Sequence, residues 1–431
     1  MHPTSSPARW VFTAVCAAVL ALSAQAQNNW PQHGINTPSC QPVIKHSDRT
    51  VLGDDIVHYR YTVTVGPGKY DVIRLHRVIK ERHPHHPDRT VDGVLMLPGS
   101  PNFIESIFME PLISQVPAWD RSVSVFLAQN GIDVWGMDYG WALVPEETTD
   151  FSFMKGWGIA KDSRHAEAAL TVARWIRGST GQGLAPLHLL GFSWGAVLVY
   201  PIAAEEARMP PFLRNVKGII VADVALKYPS GSAEAASACN DLASIQALID
   251  QGVYHAGDGA FLTRIGNLAV SDPEGASADL PGLTNYQAGL YIAAGNMWHF
   301  AGGVFGDNGM PVDLRFTEPR LFFDVLKVLP PYTPVITDLA ASQCGKTDLP
   351  FNDHLAQITV PILYVGARGG FGESGYYTTT LTGSKDITRF TVQLLPDDQR
   401  LYDFGHADLF TAAIAETKVW RPILDWLVAH R

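Results

Sequence analysis

One stretch limits what this chain can fold into more than any other: Leu189-Leu190-Gly191-Phe192-Ser193-Trp194-Gly195-Ala196. Leu187 to Leu190 is mostly apolar and reads as a buried strand, and Ala196 to Ala207 reads as a helix. The Gly-x-Ser-x-Gly between them is therefore a strand-to-helix turn. Its two glycines stand where a Cβ would collide with a neighbouring strand or helix. Ser193 is then held on strained backbone with its hydroxyl pushed clear of the sheet. The amides at the helix start point toward where an anion would form. Gly181, Gly183 and Pro186 punctuate the approach to the strand, and Pro201 predicts a kink in the helix that follows.

With 431 residues, 46% of them apolar, the chain can bury one large core with an insertion as readily as two or three domains. A net charge of −10 with no basic cluster argues against a nucleic-acid partner. Residues 1–26 read as a secretory signal: Arg9, then the apolar run Val11 to Leu22, then Ala24-Gln25-Ala26 before Gln27. That run is too short to span a bilayer well, and no other segment approaches the length required, so no integral membrane span is expected. The expected location is outside the cytoplasm, secreted or periplasmic. Cys16 leaves with the signal, and Cys239 and Cys344 fall in one region, so they are the expected disulfide, with Cys40 left over. No cysteine spacing fits a zinc site.

Residues 27–55 are expected to form an irregular N-terminal arm. Ile56 to Val65 and Tyr70 to Ile79 alternate apolar and polar residues around Gly66-Pro67-Gly68, which predicts an antiparallel hairpin. His83, His85 and His86 sit among prolines and read as a solvated turn rather than a metal site. Val91 to Leu97 predicts a buried strand that empties into Pro98-Gly99-Ser100. A helix ending at Asn130, a strand over Ile132 to Met137 tipped by Asp138, and a helix over Gly158 to Arg177 follow. Val216 to Val221 is a further strand, ending near Asp223. Residues 225–357 break the alternation and carry aromatics such as Tyr291, Trp298, Phe300 and Phe322, near Met297. A structureless loop of that length is improbable, so a helical lid subdomain is expected there. Strand and helix resume over 358–431, with strands at Val360 to Gly366 and Arg389 to Leu395 and one amphipathic helix from Ala407 to His430.

This order of elements resembles the α/β-hydrolase superfamily, over nearly all of residues 56–224 and 358–431. Gly131-Ile132-Asp133-Val134-Trp135-Gly136-Met137-Asp138 followed by Phe151-Ser152-Phe153 is similar to the acid-lipase branch. The resemblance implies a mostly parallel sheet flanked by helices and a serine, histidine and carboxylate acting together. Ser193 is then the nucleophile. Among 15 histidines, His406 lies where the family places its base, after the last strand and at the start of the last helix. The family's acid follows the penultimate strand, where this chain has Gly366-Ala367-Arg368-Gly369-Gly370-Phe371-Gly372-Glu373, so Glu373 is the first carboxylate available. Asp223, after the strand following the elbow, and Asp386 remain alternatives. The resemblance assigns the oxyanion donors to the amides of Trp194 and Ser100, with Pro98-Gly99 in place of the usual His-Gly pair.

The implied activity is hydrolysis of carboxylic esters with an apolar portion through an acyl-enzyme, with no metal or organic cofactor. A Ser-Trp-Gly elbow also occurs in proline iminopeptidases, so an aminopeptidase is the alternative enzyme. The contrasting class is a non-catalytic ligand-binding protein on the same fold. Oligomeric state is not legible in the sequence.

Overall fold

The computed structural model describes residues 42–295 and 299–431. The expected signal at 1–26, Cys40, Met297 and Trp298 lie outside those residues. Strands β1 (Val43–Gly53), β2 (Ile56–Thr64), β3 (Val72–His83) and the short β4 (His86–Pro87) open the described chain, followed by β5 (Asp92–Leu97), β6 (Ile132–Asp138), β7 (Leu187–Phe192) and β8 (Val216–Ala222). The inserted region carries β9 (His255–Ala256), β10 (Gly303–Phe305), β11 (Pro311–Leu314) and β12 (Thr333–Pro334), and the sheet resumes with β13 (Ile362–Ala367) and β14 (Ile387–Val392). The main sheet runs β1-β2-β3-β6-β5-β7-β8-β13-β14, with β4 on β3. From β6 to β14 every neighbour is parallel, and β1, β2 and β3 are antiparallel, β3 pairing antiparallel with β6.

The sequence pattern explains this layering. Val94, Leu95, Met96 and Leu97 are fully buried because a parallel strand is covered by helices on both faces. Each such aliphatic side chain contributes about 1.5–3 kcal/mol when taken out of water. The hairpin falls in the register its alternation predicts, Thr64 opposite Val72 and Ile56 opposite Lys80. Helices Val123–Gln129, Ile159–Ser179 and Trp194–Arg208 flank the sheet, the last continuing through Pro201. His83, His85 and His86 are exposed, as a solvated turn requires.

Three expectations are corrected. The arm is not irregular to residue 55: Val43–Gly53 is the edge strand β1, paired with β2, and its mostly exposed side chains gave no periodic signal because neither face is deeply buried. The last helix is not one helix; Asp408–Thr411 is followed by a wide turn at Glu416–Trp420 and then Arg421–Ala429. The insertion is not wholly helical. Between β8 and β13 it holds helices Ala233–Asp250, Asp258–Ser271, Asn285–Ala294, Pro319–Leu326 and Asp338–Gln343, with two short ladders, β10–β11 and β9–β12. Its own core includes Ile265, Leu290, Phe322, Phe323 and Leu326. Among the described residues no helix is long and apolar enough to cross a membrane.

Cys239 and Cys344 are disulfide-bonded across a separation of 105 residues, joining the first and last helices of the insertion. Closing so long a loop restricts the unfolded chain, an effect of about 2–4 kcal/mol. Replacing both cysteines by serine should lower the thermal midpoint measurably, and added reductant should lower the wild type to match. Equal midpoints for variant and oxidised wild type would show that the crosslink contributes nothing.

Candidate active site

Ser193 ends β7 with φ 52° and ψ −115°, a left-handed conformation that a non-glycine residue adopts only under constraint. The constraint is close packing. A Cβ on Gly191 would lie 2.2 Å from the Gly195 carbonyl oxygen, and one on Gly195 would lie 2.1 Å from the Leu97 oxygen. The Ser193 amide donates to the Ala222 carbonyl at 3.1 Å, locking the turn to β8. Trp194 opens the helix, so its amide belongs to the first turn, whose N–H groups have no partner within the helix.

Asp223 follows β8 directly, fully buried and also left-handed at φ 54°. Its Oδ2 accepts from His406 Nδ1 at 2.6 Å and from the Phe371 amide at 3.1 Å. Oδ1 accepts from the amides of Ala367 at 2.9 Å and Gly372 at 3.0 Å. Four donors leave this carboxylate fixed in both position and orientation. His406 is buried, and its ring lies 4.5 Å from that of Phe192, the residue before Ser193. Phe371 and Phe300 rings flank it at 5.7 and 6.5 Å.

The partner of His406 is therefore Asp223, and the expectation of Glu373 is corrected: Glu373 is exposed on the turn Gly372–Gly375. The loop after β13 does reach the site, but it brings amides in place of an acid. A Cβ on Gly370 would sit 2.2 Å from Asp223 Oδ2 and 3.3 Å from the His406 Cα, so no side chain fits at this point of the loop. Asp386 is also excluded from the site. It is exposed, precedes β14 at the amino-terminal edge of the parallel strands, and bonds His430 Nε2 at 3.1 Å.

The Pro98-Gly99-Ser100 loop lies over the serine. A Cβ on Gly99 would stand 2.8 Å from the Ser193 Cβ, and the Pro98 carbonyl accepts from the Gly195 amide at 3.1 Å and the Tyr139 hydroxyl at 2.9 Å. Gly99 is buried and Ser100 is exposed. Asp138, at the tip of β6, accepts from the Ile104 amide at 2.8 Å and from His76 Nε2 at 3.0 Å. It thereby fixes the chain just beyond that loop.

His58, His76 and Glu105 are the one group of described residues whose ligand atoms converge, within 4.8 Å of one another. Contacts within the protein already engage these groups, His76 Nε2 with Asp138 among them. His58 Nε2 and His76 Nδ1 share a hydrogen bond at 2.9 Å, and the guanidiniums of Arg60 and Arg74 lie at Glu105 and Asp138. Burial, together with His76 and both arginines, pushes His58 down to about 2, so it is neutral. A separate cavity of about 490 Å³ lies between sheet and insertion, lined by Arg74, Phe103, Val144, Thr263, Lys327 and Leu329 among others. Neither Ser193 nor His406 lines it.

The insertion holds the histidine loop directly. The amides of His406 and Ala407 donate to the carbonyls of His299 and Phe300 at 2.8 and 2.6 Å. Asp408 joins both sides, accepting from the amides of Gly302 at 2.8 Å and Gly405 at 2.7 Å and from the Thr317 hydroxyl at 2.5 Å. Burial pushes its carboxyl up to about 6, against the opposing pull of those three donors.

No protein-family model and no curated protein matches this chain. Among solved structures, a protein from Sulfolobus solfataricus provisionally described as a lipase is similar at 18% identity and a TM-score of 0.60, over 90% of this chain and 100% of that one. A cold-adapted esterase from an Arctic intertidal metagenomic library aligns at 11% identity and TM-score 0.40 over 90% of this chain and 97% of its own. A proline iminopeptidase from Mycobacterium smegmatis aligns at 13% and 0.41 over 89% and 98%. The first of these shows a shared fold; the other two are too distant to carry an argument.

Asp408 makes stability depend on pH in a definite direction. With a folded pKa of about 6 against 3.8, the native protein holds a proton that the unfolded chain releases, so stability falls as pH rises through this interval. The change amounts to about 3 kcal/mol. In Asp408→Asn the amide oxygen can still accept from Gly302 and Gly405 while its NH2 meets the Thr317 oxygen. The unfolding free energy of wild type relative to this variant should fall by about 2.4 kcal/mol between pH 4 and pH 7, the remainder of the change lying below pH 4. A pH-independent difference would contradict the assignment.

Proposed function

The chain has the α/β-hydrolase fold, and we propose that on it Ser193, His406 and Asp223 hydrolyse carboxylic esters through an acyl-enzyme. The observation that carries this reading is the hydrogen bond from His406 Nδ1 to a fully buried Asp223, beside a serine in a left-handed turn. Asp223 holds the imidazole in the tautomer whose Nε2 can accept a proton. Ser193 Oγ attacks the acyl carbon, His406 takes the hydroxyl proton, and the carbonyl oxygen becomes an anion. The amide of Trp194 and one from Gly99 or Ser100 stabilise that anion. Collapse expels the alcohol, which takes the proton from His406. Water activated by the same imidazole then releases the acid and restores the serine.

Phe192, Phe300 and Phe371 around His406 support a substrate with an apolar portion. The insertion supplies Phe300 and so serves as a cap over the site. Residues 1–26 are proposed to be removed on export. A disulfide persists in an oxidising compartment and not in the cytosol, so the Cys239–Cys344 bond supports that location. A mature protein whose mass begins at Gln27 would agree.

Ser193→Ala should abolish turnover of p-nitrophenyl esters and block covalent labelling by a fluorophosphonate. Asp223→Asn should lower kcat by about 10³–10⁴-fold, the usual cost of a wrongly held imidazole, while Glu373→Gln leaves it within twofold. Wild-type turnover in Ser193→Ala would sink the reading. Release from proline p-nitroanilide with negligible ester cleavage would make the protein an aminopeptidase. No fluorophosphonate adduct on the folded wild type would make it a binding protein.

A further inference from the structure

Asp162 is a buried acid that the proposed chemistry does not use. It lies in the first turn of the helix Ile159–Ser179 and is 2% exposed. One oxygen, Oδ2, accepts from two indoles: Trp194 Nε1 at 2.9 Å and Trp141 Nε1 at 3.1 Å. Trp194 is the residue after Ser193, and its amide is one of the two donors assigned to the oxyanion. Trp141 leads to the other. Its ring stacks on Tyr139 at 5.0 Å and 11°, and the Tyr139 hydroxyl donates to the Pro98 carbonyl at 2.9 Å. That carbonyl also takes the Gly195 amide at 3.1 Å, which closes the circuit back at the elbow.

Resting on the reading above, we infer that Asp162 is the positioning residue for the oxyanion hole, holding its two walls, the Trp194 turn and the Pro98-Gly99-Ser100 loop, in register from one carboxylate oxygen. A hydrogen bond to an ionised acceptor is about twice as strong as one between neutral groups, so the charge sharpens both indole positions. Two donors 2.9 and 3.1 Å from one atom cannot drift apart without losing it. The amide that must lie about 3 Å from a developing oxyanion is thus placed from behind.

The groups facing Asp162 set how it titrates. Burial pushes its carboxyl up to about 6, opposed by the indoles of Trp194 and Trp141 and by Lys161, and reinforced by Asp338 from the insertion. Lys161 is itself committed to Asp71 at 2.6 Å, and Tyr139 stays protonated well above the usual range through burial and the charge of Asp162. Asp162 therefore loses its charge as pH falls through about 6, and the two walls lose their stronger tie.

The test uses the full-length protein and four variants. Asp162→Ala removes the acceptor, Asp162→Asn keeps an acceptor without charge, and Trp194→Phe and Trp141→Phe keep the rings without the N–H. Asp162→Ala and Trp194→Phe should lower kcat about 10- to 100-fold with KM within threefold. They should weaken a trifluoromethyl ketone, which mimics the oxyanion, by the same factor as kcat/KM. Asp162→Asn should reduce the acid limb of kcat/KM from two protons to one, a readout that a structural role would not move. Variants with wild-type melting, kcat, ketone affinity and acid limb would overturn the inference, and if Asp162→Ala does not fold, Asp162→Asn and Trp194→Phe still decide it. Failure of the ester reading looks different, because wild type itself would then neither turn over esters nor label at Ser193.

Discussion

The Asp223 carboxylate ties the loop after β13 and the segment carrying His406 to the end of β8. Its oxygens take the amides of Ala367, Phe371 and Gly372 and the imidazole of His406. Asp223 precedes the insertion, and every donor to it follows. Without that carboxylate two buried amides, one half-buried amide and an imidazole would lose their acceptor together, each buried group at a cost of about 1–3 kcal/mol. The two halves of the sheet meet here chemically as well as sterically, since β8 also pairs with β13.

Backbone geometry at Ser193 follows the same logic. Ser193 and Asp223 end neighbouring strands, β7 and β8, both in the left-handed region, and the Ser193 amide bonds the residue before Asp223. Strain at either is tolerable only because the surroundings over-determine it. Gly195 against the Leu97 oxygen, Gly99 against the Ser193 Cβ and Gly370 against Asp223 leave no room for relaxation. A loop wrapped this tightly around its neighbours can hold a hydroxyl and an imidazole in fixed positions.

Much of this was legible in the sequence, and what was not has physical causes. Long parallel strands announced themselves because burial on both faces leaves near-continuous apolar runs, as in β5 and β7. The elbow was legible from its glycines, and His406 from its position at the head of the last helical segment. The acid is not legible because its family position after β13 carries no charged side chain that reaches His406. The informative signal there was the absence of side chains, Gly369-Gly370, which shows backbone packing directly against another group. Edge strand β1 was missed because an exposed edge imposes no alternation. Asp162 gave no signal at all: it reads as an ordinary first-turn acid on a helix, and only the fold brings two indoles to it.

Carboxylates held by dipoles recur at the seam between insertion and sheet and beside the elbow. Asp408 is held by two amides and a hydroxyl, Asp338 by the Ile159 amide, and Asp162 by two indoles, and burial raises all three above the ordinary range. Apolar side chains in these places would stabilise the fold more, since each buried charge carries a desolvation cost that neutral donors only partly offset. A carboxylate nevertheless fixes direction, which an apolar contact does not: it accepts only along its lone pairs. Asp408 thereby orients the loop carrying His406 against Gly302 and Thr317, while Asp162 orients Trp194 against Trp141. In both cases a segment of the site is aimed at the expense of stability.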